Sequence, residues 1–156
     1  MKPFGLLLLL LLLGSCNDTT TTPSPPTSEH PIRGTWQFEY FEHVETGERD
    51  VPPAEMRPVT LSFIDTACGS EDPICGGRAP CNLYSARYKL HGIDGITIWD
   101  LFTTLIWCKW GEWEDRYYKA LVDATRYRIR GTELKLYFDN GRKAAVFRWV
   151  PPRPGQ

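Results

Sequence analysis

The chain reads as a mainly β domain, an antiparallel barrel or sandwich with one helix set between its strands. Short apolar and aromatic runs recur at roughly even spacing from about Ile32 to Pro152 and are parted by glycine-bearing turns. Within the runs apolar and polar side chains alternate, and one stretch alone carries a helical period. Gly34 to Phe41 sets Trp36, Phe38 and Tyr40 against Thr35, Gln37 and Glu39, the pattern of a half-buried strand. Val59, Leu61 and Phe63 alternate with Thr60, Ser62 and Ile64 in a second. Strands follow at about Asn82 to Leu90 and Ile96 to Trp107, the latter long enough to bend or to hold two, with Gly92 and Gly95 in the turn between them. The helix runs from about Glu112 to Ala124, because Trp113, Tyr117, Ala120, Leu121 and Ala124 form one stripe at helical spacing. Glu112, Glu114 and Asp115 in its first turn read as capping charges, with Asp115 placed to pair with Lys119. Arg126 to Arg130, Glu133 to Asp139 and Arg142 to Val150 complete the strands. The last two flank Asn140-Gly141, a hairpin signal because both central residues of a type I′ turn need positive φ.

The 156 residues are 42% hydrophobic and 13% aromatic, enough to build one core and too apolar for a disordered chain. Eighteen basic side chains against 19 acidic ones leave no broad cationic face, so nucleic acid is not an expected partner.

The N-terminus carries an address. Lys2 precedes eight consecutive leucines, Leu6 to Leu13, too few for a span of about 20 apolar residues. Gly14 and Ser15 then lead into Cys16, and Leu13-Gly14-Ser15-Cys16 resembles the lipobox of bacterial lipoproteins. That resemblance implies a signal peptide over 1–15, a diacylglyceryl thioether on Cys16, cleavage before it and acylation of the new amine. Residues 16–31 hold the lipidated cysteine and a threonine- and proline-rich linker without an aliphatic or aromatic side chain, a spacer with nothing to bury. The folded domain is placed at 32–152. Asp18 lies where some bacterial lipoproteins carry sorting signals, and the expected location is the bacterial cell envelope, anchored to the outer membrane in preference to the inner.

Cys81-Asn82-Leu83-Tyr84, followed by Ser85-Ala86-Arg87-Tyr88, resembles the Cys-Asn-x-Tyr-x-x-x-Tyr pattern of the META/HslJ-like domain of bacterial envelope lipoproteins. Gly34-Thr35-Trp36, Thr103-Thr104, Cys108, Tyr118 to Leu121, Tyr127-Arg128-Ile129 and Thr132 to Leu136 follow the family in order. The chain departs from it at Pro80, where a glycine is usual, at Ile106-Trp107, where Met-Ala is usual, and in an insert around Cys68 to Cys75. The resemblance implies a compact or cracked β-barrel of about eight strands with one helix, similar to the pilotin lipoproteins of secretion systems. It also implies roles in envelope stress, antibiotic tolerance or secretion.

With Cys16 taken by lipid, Cys68, Cys75, Cys81 and Cys108 remain, an even number open to three pairings in an oxidising compartment. Zinc competes for them, but their intervals of six, five and twenty-six residues contain no C-x-x-C pair, so no metal or other cofactor is expected. The resemblance points to a Cys81–Cys108 disulfide, since these fall where the family has its two cysteines. Cys68 with Cys75 then staples the extra loop, and swapped pairings of Cys75 with Cys81 stay open.

No catalytic residues are assigned. His30 falls in the linker, His43 and His91 fall at strand ends or turns, and no Gly-x-Ser-x-Gly elbow occurs. Gly76-Gly77 sits in a cysteine-bounded loop with no helix after it, and reads as turn chemistry rather than a phosphate cradle. Arg126, Arg128 and Arg130 alternate along one strand and read as a solvated outer face. Trp99, Trp107, Trp110 and Trp113 crowd the approach to the helix, where aromatics either fill the core or line a binding groove. Among them Trp110, Trp107 and Trp113 are the candidate binding residues, with Trp110 the first choice for an exposed contact. The expected function is non-catalytic: an interaction or scaffolding module for an envelope protein partner. The alternative is a carrier that holds a small apolar, lipid-like ligand inside the barrel. A filled interior with an exposed apolar strip marks the first, and an aromatic-lined cavity marks the second.

Overall fold

The computed structural model describes residues 32–64 and 73–152. The expected signal peptide and linker, with Cys16, and Cys68 all lie outside the described residues. In chain order the elements are β1 (Gly34–His43), β2 (Arg49–Asp50), β3 (Thr60–Ile64), β4 (Ile74–Arg78), β5 (Leu83–His91), β6 (Gly95–Thr103), α1 (Gly111–Val122), β7 (Arg126–Arg130), β8 (Glu133–Phe138) and β9 (Lys143–Val150). The nine strands form one antiparallel sheet in the order β2-β1-β3-β4-β5-β6-β7-β8-β9, and β1 also pairs with β9. All strands but β2 thereby close into a ring of eight. Trp36 stands opposite Leu61 on one side and Trp149 on the other, so the first strand is the seam of this closure.

The ring is not a regular barrel. β6 and β7 meet at a single registered pair, Gly95 with Arg126, flanked by the Ile96 amide on the Thr125 carbonyl at 3.1 Å and the Tyr127 amide on the Asp94 carbonyl at 2.7 Å. Beyond that point β6 diverges and α1 packs against β6 and β8. The cracked barrel with one helix implied by the family resemblance is thus the fold observed.

The periodicities explain most elements. The helical stripe delivers Tyr117, Ala120, Leu121 and Ala124 to the core, with Trp113 half-buried at its edge. At the hairpin Asp139, Asn140 and Gly141 all adopt positive φ (51°, 55° and 80°), and the Arg142 amide closes the turn on the Asp139 carbonyl at 3.1 Å. Lys119, expected to pair with Asp115, pairs instead with Asp123 one turn on, at 2.7 Å.

Two elements depart from the expected pattern. First, the run read as one long strand to Trp107 ends at Thr103. Asp100 takes φ 50° and the β5–β6 register shifts between Ser85 and Arg87. One extra residue reverses the inside–outside alternation. Ile96 and Ile98 therefore face the core while Phe102 turns outward. Second, Gly76-Gly77 is not a turn but the middle of β4. A Cβ on Gly77 would lie 2.2 Å from the Thr60 carbonyl oxygen, and one on Gly76 would lie 2.6 Å from that of Tyr84. These glycines let neighbouring strands approach a side-chain-free backbone. Gly77→Ala should cost about 2–3 kcal/mol and lower the urea midpoint at unchanged slope, whereas Gly92→Ala, with open space around it, should cost less despite its φ of 57°.

The interior is filled. Trp36, Leu61, Tyr117, Leu121, Leu134, Leu136 and Phe147 are each at most 1% exposed. Phe38 lies 4.8 Å from Phe41 and 5.6 Å from both Tyr117 and Phe147, centroid to centroid, in tilted or edge-on contact. Because every pairing is antiparallel, β1 starts at one end of the ring, while the end of β6 and the start of β5 lie at the other. α1 covers that second end, its Trp113 stacked on Phe41 late in β1 and its Tyr118 hydroxyl 3.0 Å from Thr103 Oγ1.

Candidate functional site

At the helix end, three chain segments with few reasons to stay together are locked by one buried carboxylate and one buried amide. Ala79 to Asn82 turns the chain between β4 and β5, with the Ala79 amide donating to the Asn82 carbonyl at 2.8 Å. Glu114 projects from the first turn of α1 toward that turn and is only 7% exposed. Its Oε1 accepts from the amides of Cys81 (3.1 Å) and Asn82 (2.9 Å) and from the Tyr118 hydroxyl (3.2 Å), and its Oε2 accepts from Asn82 Nδ2 (2.8 Å). Asn82 uses its whole amide. Nδ2 also donates to the Ile106 carbonyl (3.1 Å), while Oδ1 accepts from the Ile106 amide (2.7 Å) and from Thr104 Oγ1 (2.8 Å). Thr104 is further paired with Leu83: its amide donates to the Leu83 carbonyl at 3.0 Å, and its Oγ1 accepts the Leu83 amide at 3.2 Å.

A Cys81–Cys108 disulfide, with Cα atoms 5.7 Å apart, ties the same turn to the far side of the segment. Thr104 to Cys108 is therefore an irregular segment pinned at both ends and in the middle. Among the described residues no buried side-chain nitrogen or oxygen lacks a partner. Glu114, read from the sequence as a capping charge, is instead the acceptor at the centre of this network.

The pinned segment carries its side chains outward. Leu105 is 94% exposed, Ile106 61% and Trp107 90%, and beside them Phe102 is 68% and Leu83 57% exposed. Five large apolar side chains in one place make a patch of the kind that marks contact surfaces. Of the candidate tryptophans, Trp107 is the exposed one. Trp110 is half-buried against the core with Lys109 Nζ 4.4 Å above its ring, and Trp113 is stacked on Phe41 beneath the Arg116 guanidinium. Trp99 is also half-buried.

Nearby tyrosines look like proton-transfer groups and are not. The Tyr84 and Tyr117 hydroxyls meet at 2.7 Å, and Tyr84 also donates to the Thr60 carbonyl at 3.0 Å. Burial pushes both phenols well above their ordinary range, and burial reinforced by the Glu114 carboxylate takes Tyr118 up to about 12. All three stay protonated at neutral pH and serve as hydrogen-bonding struts. Among the described residues no three His, Cys, Asp or Glu side chains gather to hold a metal ion.

Cys75 on β4 points into the core, fully buried, and is a free thiol, while Cys68, its expected partner in the loop staple, lies outside the described residues. Burial raises the pKa of Cys75 to about 12, so it should resist iodoacetamide at pH 8 in the native protein and react once urea unfolds the chain, as peptide mass mapping would show.

The class defined by these features is a cracked eight-strand ring with a helix over one end and a Cys-Asn turn held by a buried glutamate. The META domain family model matches residues 31–150, and the chain belongs to that family. Among solved structures, the crystal structure of a DUF4847 family protein from Bacteroides vulgatus is similar in fold, with a TM-score of 0.55 and 14% sequence identity over 78% of this chain and 96% of that one. No curated protein matches the chain in sequence.

Proposed function

We propose that this META-domain protein is a non-catalytic cell-envelope lipoprotein, anchored through Cys16, whose folded domain acts as an interaction module. The observation that carries the reading is the exposed apolar segment from Phe102 to Trp107, held in place by Asn82, Glu114 and the disulfide. Fixing a backbone in advance lowers the entropy lost on binding, so a rigid segment with outward apolar side chains suits recognition. The envelope location is supported by the Leu-Gly-Ser-Cys sequence before residue 17 and by a disulfide suited to an oxidising compartment. The carrier alternative finds no support in an interior packed with aromatic rings. Clefts lie on the outside instead, for example one of about 510 Å³ between β1 and the segment from Val51 to Val59.

A photo-reactive amino acid at position 107, in the bacterium that makes the protein, tests this. Position 93 is the control, since Ile93 is 97% exposed but sits in the β5–β6 turn at the other end of the ring. Adducts at 107 well above those at 93 are expected. Equal labelling of the two would remove the basis for the reading.

A further inference from the structure

We propose that the occupant of this apolar segment is a lipid bilayer surface, into which Phe102, Leu105, Ile106 and Trp107 insert. The inference rests on the interaction-module reading and names its partner.

Four observations favour lipid. Leu105 and Trp107, on either side of Ile106, are both at least 90% exposed, so the segment protrudes. A protrusion fits a deformable bilayer without a matching pocket. Next, backbone that enters a bilayer must have its polar groups satisfied within the protein. Here that holds at two positions of the segment: the Ile106 amide and carbonyl are both bonded to Asn82, and the Thr104 amide and hydroxyl to Leu83 and Asn82. Third, two cations stand at the base of the protrusion: Lys109 over the Trp110 ring, and Arg57, whose Nη2 reaches the Cys81 carbonyl at 3.5 Å. That is the height of phosphate headgroups when the apolar tips are inserted, and tryptophan favours the same boundary.

The fourth is reach. The segment lies at the end of the ring opposite the start of β1, and β1 spans 10 residues, or about 33 Å. The 16 residues of the linker extend to about 50 Å, longer than the domain, so a chain anchored at Cys16 can turn its helix end back to the same membrane.

The test uses the chain from residue 16 onward with Cys16→Ser, so that no acyl chain is attached, floated with vesicles of phosphatidylethanolamine and phosphatidylglycerol. The protein is expected to float with the vesicles. Combined Leu105→Asp and Trp107→Asp should lower partitioning by about tenfold or more. Melting temperature should be unchanged, because both side chains are in solvent, and Ile93→Asp should float like the parent. A parent protein that stays out of the vesicle fraction, or a double variant that floats equally, would overturn the assignment. A protein adduct at position 107 in cells, with no vesicle binding, would leave the interaction module standing and replace lipid with a protein partner.

Discussion

Glu114→Ala is expected to destabilise the domain by about 3–4 kcal/mol, a fall in Tm of roughly 10–15 °C. The carboxylate accepts four hydrogen bonds from three residues, all at 7% exposure or less except the Tyr118 hydroxyl. Removing it leaves the Cys81 and Asn82 amides and one Asn82 Nδ2 hydrogen facing a void, and unpaired buried donors cost more than the bonds themselves contributed. Glu114→Gln separates charge from shape. Its carbonyl can replace Oε1, but its amide nitrogen then meets Asn82 Nδ2, donor against donor. An intermediate loss is therefore expected, and calorimetry on the three proteins gives the order wild type, Gln, Ala. Equal Tm values for wild type and Ala would mean that the carboxylate is solvated rather than structural.

Replacing both Cys81 and Cys108 by alanine should have a comparable effect. The bridge closes a separation of 27 residues, which the chain-entropy model converts to about 3.5 kcal/mol of denatured-state restriction. The same linkage holds the segment that Glu114 holds through Asn82. The combined variant should lose less than the sum of the two, because once the segment is free either way its second restraint has less left to hold. Full additivity in a double-mutant cycle would show that the two restraints act independently.

The contrast between what the residues announced and what they concealed has a physical pattern. Regular alternation and the helical stripe placed seven strand regions and the helix, because each buries one face against a shared core. β2 escaped notice since Arg49 and Asp50 are two exposed polar residues with no period to read. β4 was hidden by Gly76 and Gly77, which lack the side chains that alternation depends on. Glu114 could have been found: it lies three residues before Tyr117 and seven before Leu121, on the buried stripe itself. A charge on an apolar stripe needs a partner set, and Asn82 with its neighbours is that set. The exposed segment was less accessible. Trp110 stood out over Trp107 by its place beside Lys109 just before the helix, whereas the irregularity at Asp100 reverses the faces and the strand ends at Thr103, a long-range consequence of β5 pairing that no local window contains.

A buried network that holds an exposed apolar segment in one conformation, ready for contact, leaves a direct signature in native-state hydrogen exchange. The amide to watch is that of Ile106, which donates to Asn82 Oδ1 at 2.7 Å although its own side chain is mostly in solvent. Strong protection in the wild type, lost in Asn82→Ala while the β8 and β9 core amides stay protected, is the predicted result. Rapid exchange at Ile106 in the wild type would contradict it, for the segment would then be free to move and nothing would be presented.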